Sequence, residues 1–161
     1  MSAEQHVALV RAWVDAINRN DVEAELARWQ PDGQFIVIPT STAYRGVEEL
    51  RRAGANSLPA IGDQPVEGRK QITNVFATDD AACVEYDTLA DIQGPITIRG
   101  MTLIPEGVTR RVQSKVCVVF RLTDGKLQVG REYWDSASIT RQLGVSDSQL
   151  SALYQSLGAT S

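Results

Sequence analysis

The stretch TRRVQSKVCVVFRLTDGKLQVGREYW, residues 109–134, limits the fold more than any other part of the chain. Its first half sets Val112, Val116, Val118, Phe120 and Leu122 against Arg111, Gln113, Lys115 and Arg121, the period-two pattern of a strand with one face on a core. Asp124-Gly125 suits a tight turn, and KLQVGREYW returns as a second strand. A lone hairpin cannot bury its apolar face, so other elements must cover it.

Two further strands, KQITNVFAT and AACVEYDTLADI, turn at Asp79-Asp80, and the short apolar run QFIVIP forms an earlier one. Ahead of them, Ala3 to Arg19 places Val7, Val10, Val14 and Ile17 at helical spacing, with Trp13 beside that stripe. Asn20-Asp21 stops this helix and caps a second, VEAELARWQ, which Pro31 and Gly33 end. VEELRRAGANSLPAIG gives a third helix, weakened at Gly54 and ended before Pro59. The apolar segment IQGPITIRGMTLIPEG, broken by glycines and prolines, reads as a loop or flap. SASITRQLG is a short helix closed by Gly144, and Ser146-x-x-Gln149 opens a last helix carrying Leu150, Leu153, Tyr154 and Leu157 on one face. Helices followed by consecutive antiparallel strands define an α+β fold, a curved sheet wrapped around N-terminal helices. A single domain over residues 1–145 is expected, with 146–161 as a C-terminal helical extension.

A net charge of −4, with acids and bases interleaved, offers no basic stripe for nucleic acid. The N-terminus is too charged for a signal peptide and no run is long enough to cross a bilayer, so a cytoplasmic protein without a membrane partner is expected. Cys83 and Cys117 lie in apolar strands without metal-ligand spacing and read as buried free thiols. The single histidine, His6, reads as a helix-surface residue, which rules out a histidine triad or histidine-rich zinc site. Chemistry must come from carboxylates, hydroxyls, amides and indoles, with no metal and no cofactor expected.

In GREYWDS, Asp135 directly precedes SASITRQ and suits an N-cap. Glu132 depends on hairpin register. A two-residue Asp124-Gly125 turn pairs it with Cys117 and turns it to solvent, whereas a three-residue turn with a bulge at Gly125 pairs it with Val116 and turns it inward. An inward carboxylate beside Val116, Val118 and Trp134 loses water, which favours a general base. Asp87 is its candidate partner, holding a water or sharing a proton; the competing reading is an outward charge beside an inward Tyr86.

The order of helix hairpin, strand, third helix and long antiparallel strands resembles the nuclear transport factor 2-like superfamily and, within it, the SnoaL-like polyketide cyclases. The likeness is carried by AINRNDVEAE, AYRGVEELRR and VFRLTDGKLQVGREYWDSASITRQLG. It implies a cone-shaped, cystatin-like α+β barrel that holds a hydrophobic small molecule, usually as a homodimer, with buried carboxylates as catalysts and no cofactor. The base of the cyclases, and of the related limonene epoxide hydrolases, lies in an R-D-x-x-D or R-D-Y-F-D stretch whose first acid matches Glu132. The cyclase histidine and the protonated acid of the ketosteroid isomerases both fall on Val118. The isomerase base falls on Ile38, and its oxyanion tyrosine on Trp13. The water-positioning pair of the epoxide hydrolases falls on Phe35 and Val37, and their Arg-x-Asp on Glu85-Tyr86-Asp87, which keeps only the second acid. Tyr44, before Arg45-Gly46, is placed near the mouth.

The sequence therefore nominates Glu132 and Asp87 as catalytic, with Trp13, Phe35, Val37, Tyr44, Val116, Val118 and Trp134 around the ligand. Three functions are in play: aldol-type cyclisation with Trp13 or a backbone N–H steadying the enolate, epoxide hydrolysis with Asp87 as acid, and a non-catalytic carrier or dimeric interaction module. Cys117 and Val119 on the convex face, and the leucines of the last helix, are the candidate dimer contacts.

Overall fold

The computed structural model describes residues 2–55, 67–98 and 100–158, and the side chains of all of these except 55, 67–69, 98, 157 and 158. Helix α1 (Ala3–Asn18) opens on a capping box, in which Ser2 Oγ accepts from the Gln5 N–H and Gln5 Oε1 accepts from the Ser2 N–H. Its inward face is His6, Val10, Trp13, Val14 and Ala16. His6 is thus a correction to the surface reading. It stands four residues before Val10 on the same face, is 2% exposed, and donates from Nδ1 to the Thr78 carbonyl at 2.8 Å.

After Asn20, in the left-handed region at φ 54, Asp21 caps α2 (Val22–Leu26). This helix is shorter than its composition predicts, and Trp29 belongs to strand β1 (Trp29–Val37). Tertiary pairing decides the boundary: Trp29 lies opposite Leu127, whose N–H donates to the Arg28 carbonyl at 2.8 Å. A 3-10 turn at Ile38–Thr40 leads into β2 (Thr42–Arg45) and α3 (Gly46–Ala55). The expected stop of the third helix before Pro59 lies outside the described residues.

The remaining strands are β3 (Glu67–Ala77), β4 (Ala81–Gln93), β5 (Ile96–Ile98), β6 (Met101–Ile104), β7 (Thr109–Thr123) and β8 (Lys126–Trp134). Four of these join β1 and β2 in one six-stranded sheet in the order β2-β1-β8-β7-β4-β3, antiparallel except for the parallel β1–β8 pair. The segment read as a loop or flap contains the β5–β6 hairpin instead; it buries Ile96, Leu103 and Ile104, which supplies the packing that glycines and prolines hid.

Helix α4 (Ser136–Leu143) starts as expected, with Asp135 Oδ1 accepting from the Ser138 N–H at 3.1 Å, and Gly144 closes it at φ 71. Helix α5 (Asp147–Gly158) carries the second capping box, Ser146 with Gln149. Leu150 and Leu153 are buried within this chain, at 2% and 4% exposure. The side chain of Leu157 lies outside the described set.

Two β-bulges govern what faces the interior. At the β7–β8 turn, Asp124 and Gly125 both have positive φ, Thr123 pairs Lys126 and Leu122 pairs Leu127. That is the two-residue turn, which alone would leave Glu132 outside. One strand residue later the register shifts, Arg121 opposite Val129, so Glu132 pairs Val118. Leu127 and Glu132, five residues apart, would lie on opposite faces of a regular strand; the extra residue brings both inward. The same device recurs in β3, where Ile72 pairs Tyr86 but Asn74 pairs Glu85, so that Lys70 and Val75 both join the inner face.

Candidate functional site

The inner face of the sheet and helices α1 to α3 enclose a cavity of about 150 Å³. Trp13, Ile17, Trp29, Phe35, Val37 and Leu50 give it apolar walls. The aromatic part is mutually packed: Trp13 meets Phe120 edge-on at 5.0 Å between centroids, and Trp29 meets Phe35 at 6.0 Å and 88°. Gly130 makes this approach possible, since a Cβ there would stand 2.7 Å from a Phe35 ring carbon.

Polar groups enter at a few points. Glu132 arrives on β8, its Oε2 accepting from the Tyr86 hydroxyl at 3.1 Å and its Oε1 from the Trp134 indole at 2.9 Å. Trp134 in turn packs on the Tyr154 ring at 5.4 Å. The Tyr44 hydroxyl donates to the Tyr154 carbonyl at 2.8 Å, tying β2 to α5 at the cavity wall. Burial, with the Glu132 charge second, pushes the phenols of Tyr44, Tyr86 and Tyr154 above their ordinary range, so all three remain protonated donors.

Glu25 and Lys70 also line the cavity. Burial pushes Glu25 up to about 7, against the opposing pull of Lys70, the Trp13 indole and Arg28. Burial likewise lowers Lys70, partly offset by Glu132 and Glu25. Among the described residues, the buried side-chain polar atoms without a protein partner are Trp13 Nε1, Trp29 Nε1 and Thr88 Oγ1, and all of these residues line this one cavity. The Trp13 indole is near enough to Glu25 to ease its charge but does not reach a full hydrogen bond. Buried donors normally find partners, and here three unpartnered groups line one space, an arrangement that can satisfy acceptor atoms.

Of the nominated residues, Glu132, Trp13, Phe35, Val37 and Tyr44 meet at this cavity. Trp134 acts one step back, through Glu132. Val116 and Val118 are core residues, 7% and 0% exposed, that support the floor without lining it. Asp87 corrects the sequence reading: it lies on the outer face, paired with Lys115 across the strands at 3.2 Å. The cause is alternation, because Tyr86, 1% exposed, takes the inward position.

Glu25, Lys70, Tyr86, Trp29, Thr88 and Tyr154 were not singled out as site residues from sequence. Glu25 shares a helical face with Val22 and Leu26, which was a usable signal. Lys70 and Ile72 share strand parity, but the bulge that unites them with Val75 leaves no mark in composition. Cys83 and Cys117 are free, as expected, but only Cys83 is fully buried; their sulfurs lie 3.5 Å apart on the outer face, and burial and the neighbouring thiol push Cys83 up to about 12. Among the described residues no helix is long and apolar enough to cross a membrane, and no group of three or more His, Cys, Asp or Glu side chains is placed to hold a metal.

A protein-family profile described as a SnoaL-like domain matches residues 10–129. No curated protein matches the chain significantly. Among solved structures it is similar to a candidate polyketide cyclase from Xanthomonas campestris pv. campestris, with TM-score 0.70 and 21% identity over 89% of this chain and 99% of that one. It is also similar to an LEH-like epoxide hydrolase from M. tuberculosis, with TM-score 0.66 and 20% identity over 88% and 90%. A protein of ketosteroid isomerase-like fold from Catenulispora acidiphila DSM 44928, in complex with trimethylamine, gives TM-score 0.67 and 16% identity over 87% and 95%. At such identities the likeness establishes the nuclear transport factor 2-like fold alone.

Proposed function

The chain belongs to the SnoaL-like domain family, and from that premise we propose that it is a cofactor-independent acid/base enzyme acting on a small apolar carbonyl compound held in the cone. Glu132 is the general base. It removes a proton from the carbon alpha to the carbonyl, and the resulting enolate attacks a second carbonyl in an aldol step of the polyketide-cyclase type. The observation that carries this reading is the Glu132 carboxylate held inside an apolar cavity by the Tyr86 hydroxyl and the Trp134 indole. Both donors fix its orientation, the condition a general base needs. The unpartnered Trp13 N–H is the candidate to receive the developing enolate oxygen.

Cavity size supports a small substrate. A space of about 150 Å³ matches a single-ring compound, the scale at which an apolar cavity takes up benzene, rather than a multi-ring polyketide. Epoxide hydrolysis with Asp87 as the acid is not carried forward, because Asp87 faces away from the cavity. We place the protein in the cytoplasm as a homodimer joined through its convex sheet, where Phe76, Val119 and Tyr133 stand exposed; sedimentation of the Val119→Glu variant as a monomer supports that contact.

The activity test is a panel of single-ring keto esters and diketones, followed by product analysis with wild type and Glu132→Gln. Turnover lost in the variant with binding retained supports the base. Binding without turnover by either protein supports a carrier, and equal turnover removes Glu132 from the mechanism.

A further inference from the structure

We propose that Lys70 is a nucleophile that forms a Schiff base with the carbonyl carbon of a small apolar aldehyde or ketone in the cavity. This deepens the carbonyl-compound reading above and rests on it.

Several independent features hold Lys70 for that task. The β3 bulge turns it to the inner face together with Val75, the use of a bulge to aim a side chain that also brings Glu132 inward. Asn18, at the end of α1, clamps its main chain, accepting from the Lys70 N–H and donating to the Lys70 carbonyl, each at 2.9 Å. The side chain crosses the Tyr86 ring, Nζ 4.5 Å from its centroid, and donates to the Tyr86 hydroxyl at 3.2 Å. Lys70 is half-buried, and a structural lysine in such a place is normally held by a carboxylate in contact. The ion pairs among the described residues lie elsewhere; Lys70 meets a hydroxyl, with the Glu132 and Glu25 charges acting on it only from a distance. Burial favours its neutral, nucleophilic form.

The groups around it complete the step. The Nζ lone pair adds to the carbonyl carbon as the C=O π pair moves onto oxygen. One amine proton passes to the oxygen through Tyr86, which is bonded to Nζ and to Glu132 Oε2, and a neutral carbinolamine results. Glu25, poised near neutrality, supplies the second proton, so the oxygen leaves as water while the nitrogen lone pair forms the C=N bond; no oxidant or reductant is required. Nitrogen keeps its other proton, so the product is an iminium, an electron sink, and Glu132 remains a carboxylate able to remove the neighbouring α-proton.

The chain has three lysines, Lys70, Lys115 and Lys126, and the latter two are exposed, which makes the test clean. Full-length protein is incubated with cyclohexanone, acetophenone or benzaldehyde and reduced with borohydride, then read by intact mass and peptide mapping. Tryptophan fluorescence reports occupancy in parallel through Trp13 and Trp29. The expected result is Lys70 labelled at least about tenfold over Lys115 and Lys126, with the adduct absent from Lys70→Met. Mapping within the wild type carries the result even where that variant folds poorly. Fluorescence quenching with Lys70 labelled no more than the exposed lysines overturns the Schiff base and leaves the carbonyl-binding reading standing. Neither quenching nor a Lys70 adduct overturns both.

Discussion

Replacing Glu25 by glutamine converts the interior of the cone into a pH measurement. The Glu25 carboxyl is raised from 4.5 to about 7, with burial the largest cause. Below its ordinary value both folded and unfolded states hold the proton, and burial of the carboxyl costs nothing extra. As pH climbs from 4.5 to about 7, the unfolded chain releases the proton while the folded one keeps it, so stability falls through this window and levels off above it. At about 1.4 kcal/mol per pH unit the full effect is roughly 3 kcal/mol. Glu25→Gln keeps the shape and removes the titration. Urea unfolding of both proteins between about pH 5 and 8.5 should therefore show the variant gaining on wild type by roughly 2 to 3 kcal/mol as pH rises. Parallel profiles, with a constant difference across that range, would refute the assignment of burial as the dominant influence on Glu25.

Further outcomes follow from the same geometry. Tyr86→Phe deletes a donor to Glu132 and the partner of Lys70, and should lower kcat by about tenfold or more with little change in KM, as a charge-assisted hydrogen bond of roughly 1.5–3 kcal/mol implies. Gly130→Ala forces a Cβ to within 2.7 Å of Phe35 and should destabilise by about 1–3 kcal/mol in chemical unfolding. Asp87→Asn touches only an exposed pair with Lys115 and should leave turnover unchanged, with a stability change below about 1 kcal/mol.

The α+β class, the strand pairing of residues 109–134, the Asp135 cap and the inward row from Val112 to Leu122 were legible because each rests on local periodicity or turn chemistry. The site was legible only in part. Glu132 was visible as a candidate, but its direction turned on a bulge beyond the Asp124-Gly125 turn, and neither register drawn from the turn alone contained it. The bulge is a packing solution: Leu127 and Glu132 must both face inward, and one extra residue reconciles them. Lys70 was hidden for the same reason, by an irregularity in β3. Asp87 was misplaced because a resemblance in spacing outweighed the alternation that puts Tyr86 inside. His6 was misread because one polar residue on an apolar helical face looks like surface until a carbonyl, here of Thr78, is found within reach.

The central claim is that Glu132 is a base acting on carbon inside the cone. Exchange of α-protons for deuterium in a small cyclic ketone, followed by proton NMR in deuterated buffer, measures that step without knowledge of the final product. Wild type should accelerate exchange over buffer, and Glu132→Gln should lose about 10² or more of that acceleration while still quenching Trp13 and Trp29 fluorescence on binding. Exchange at equal rates in both proteins would contradict the assignment of Glu132 as the base.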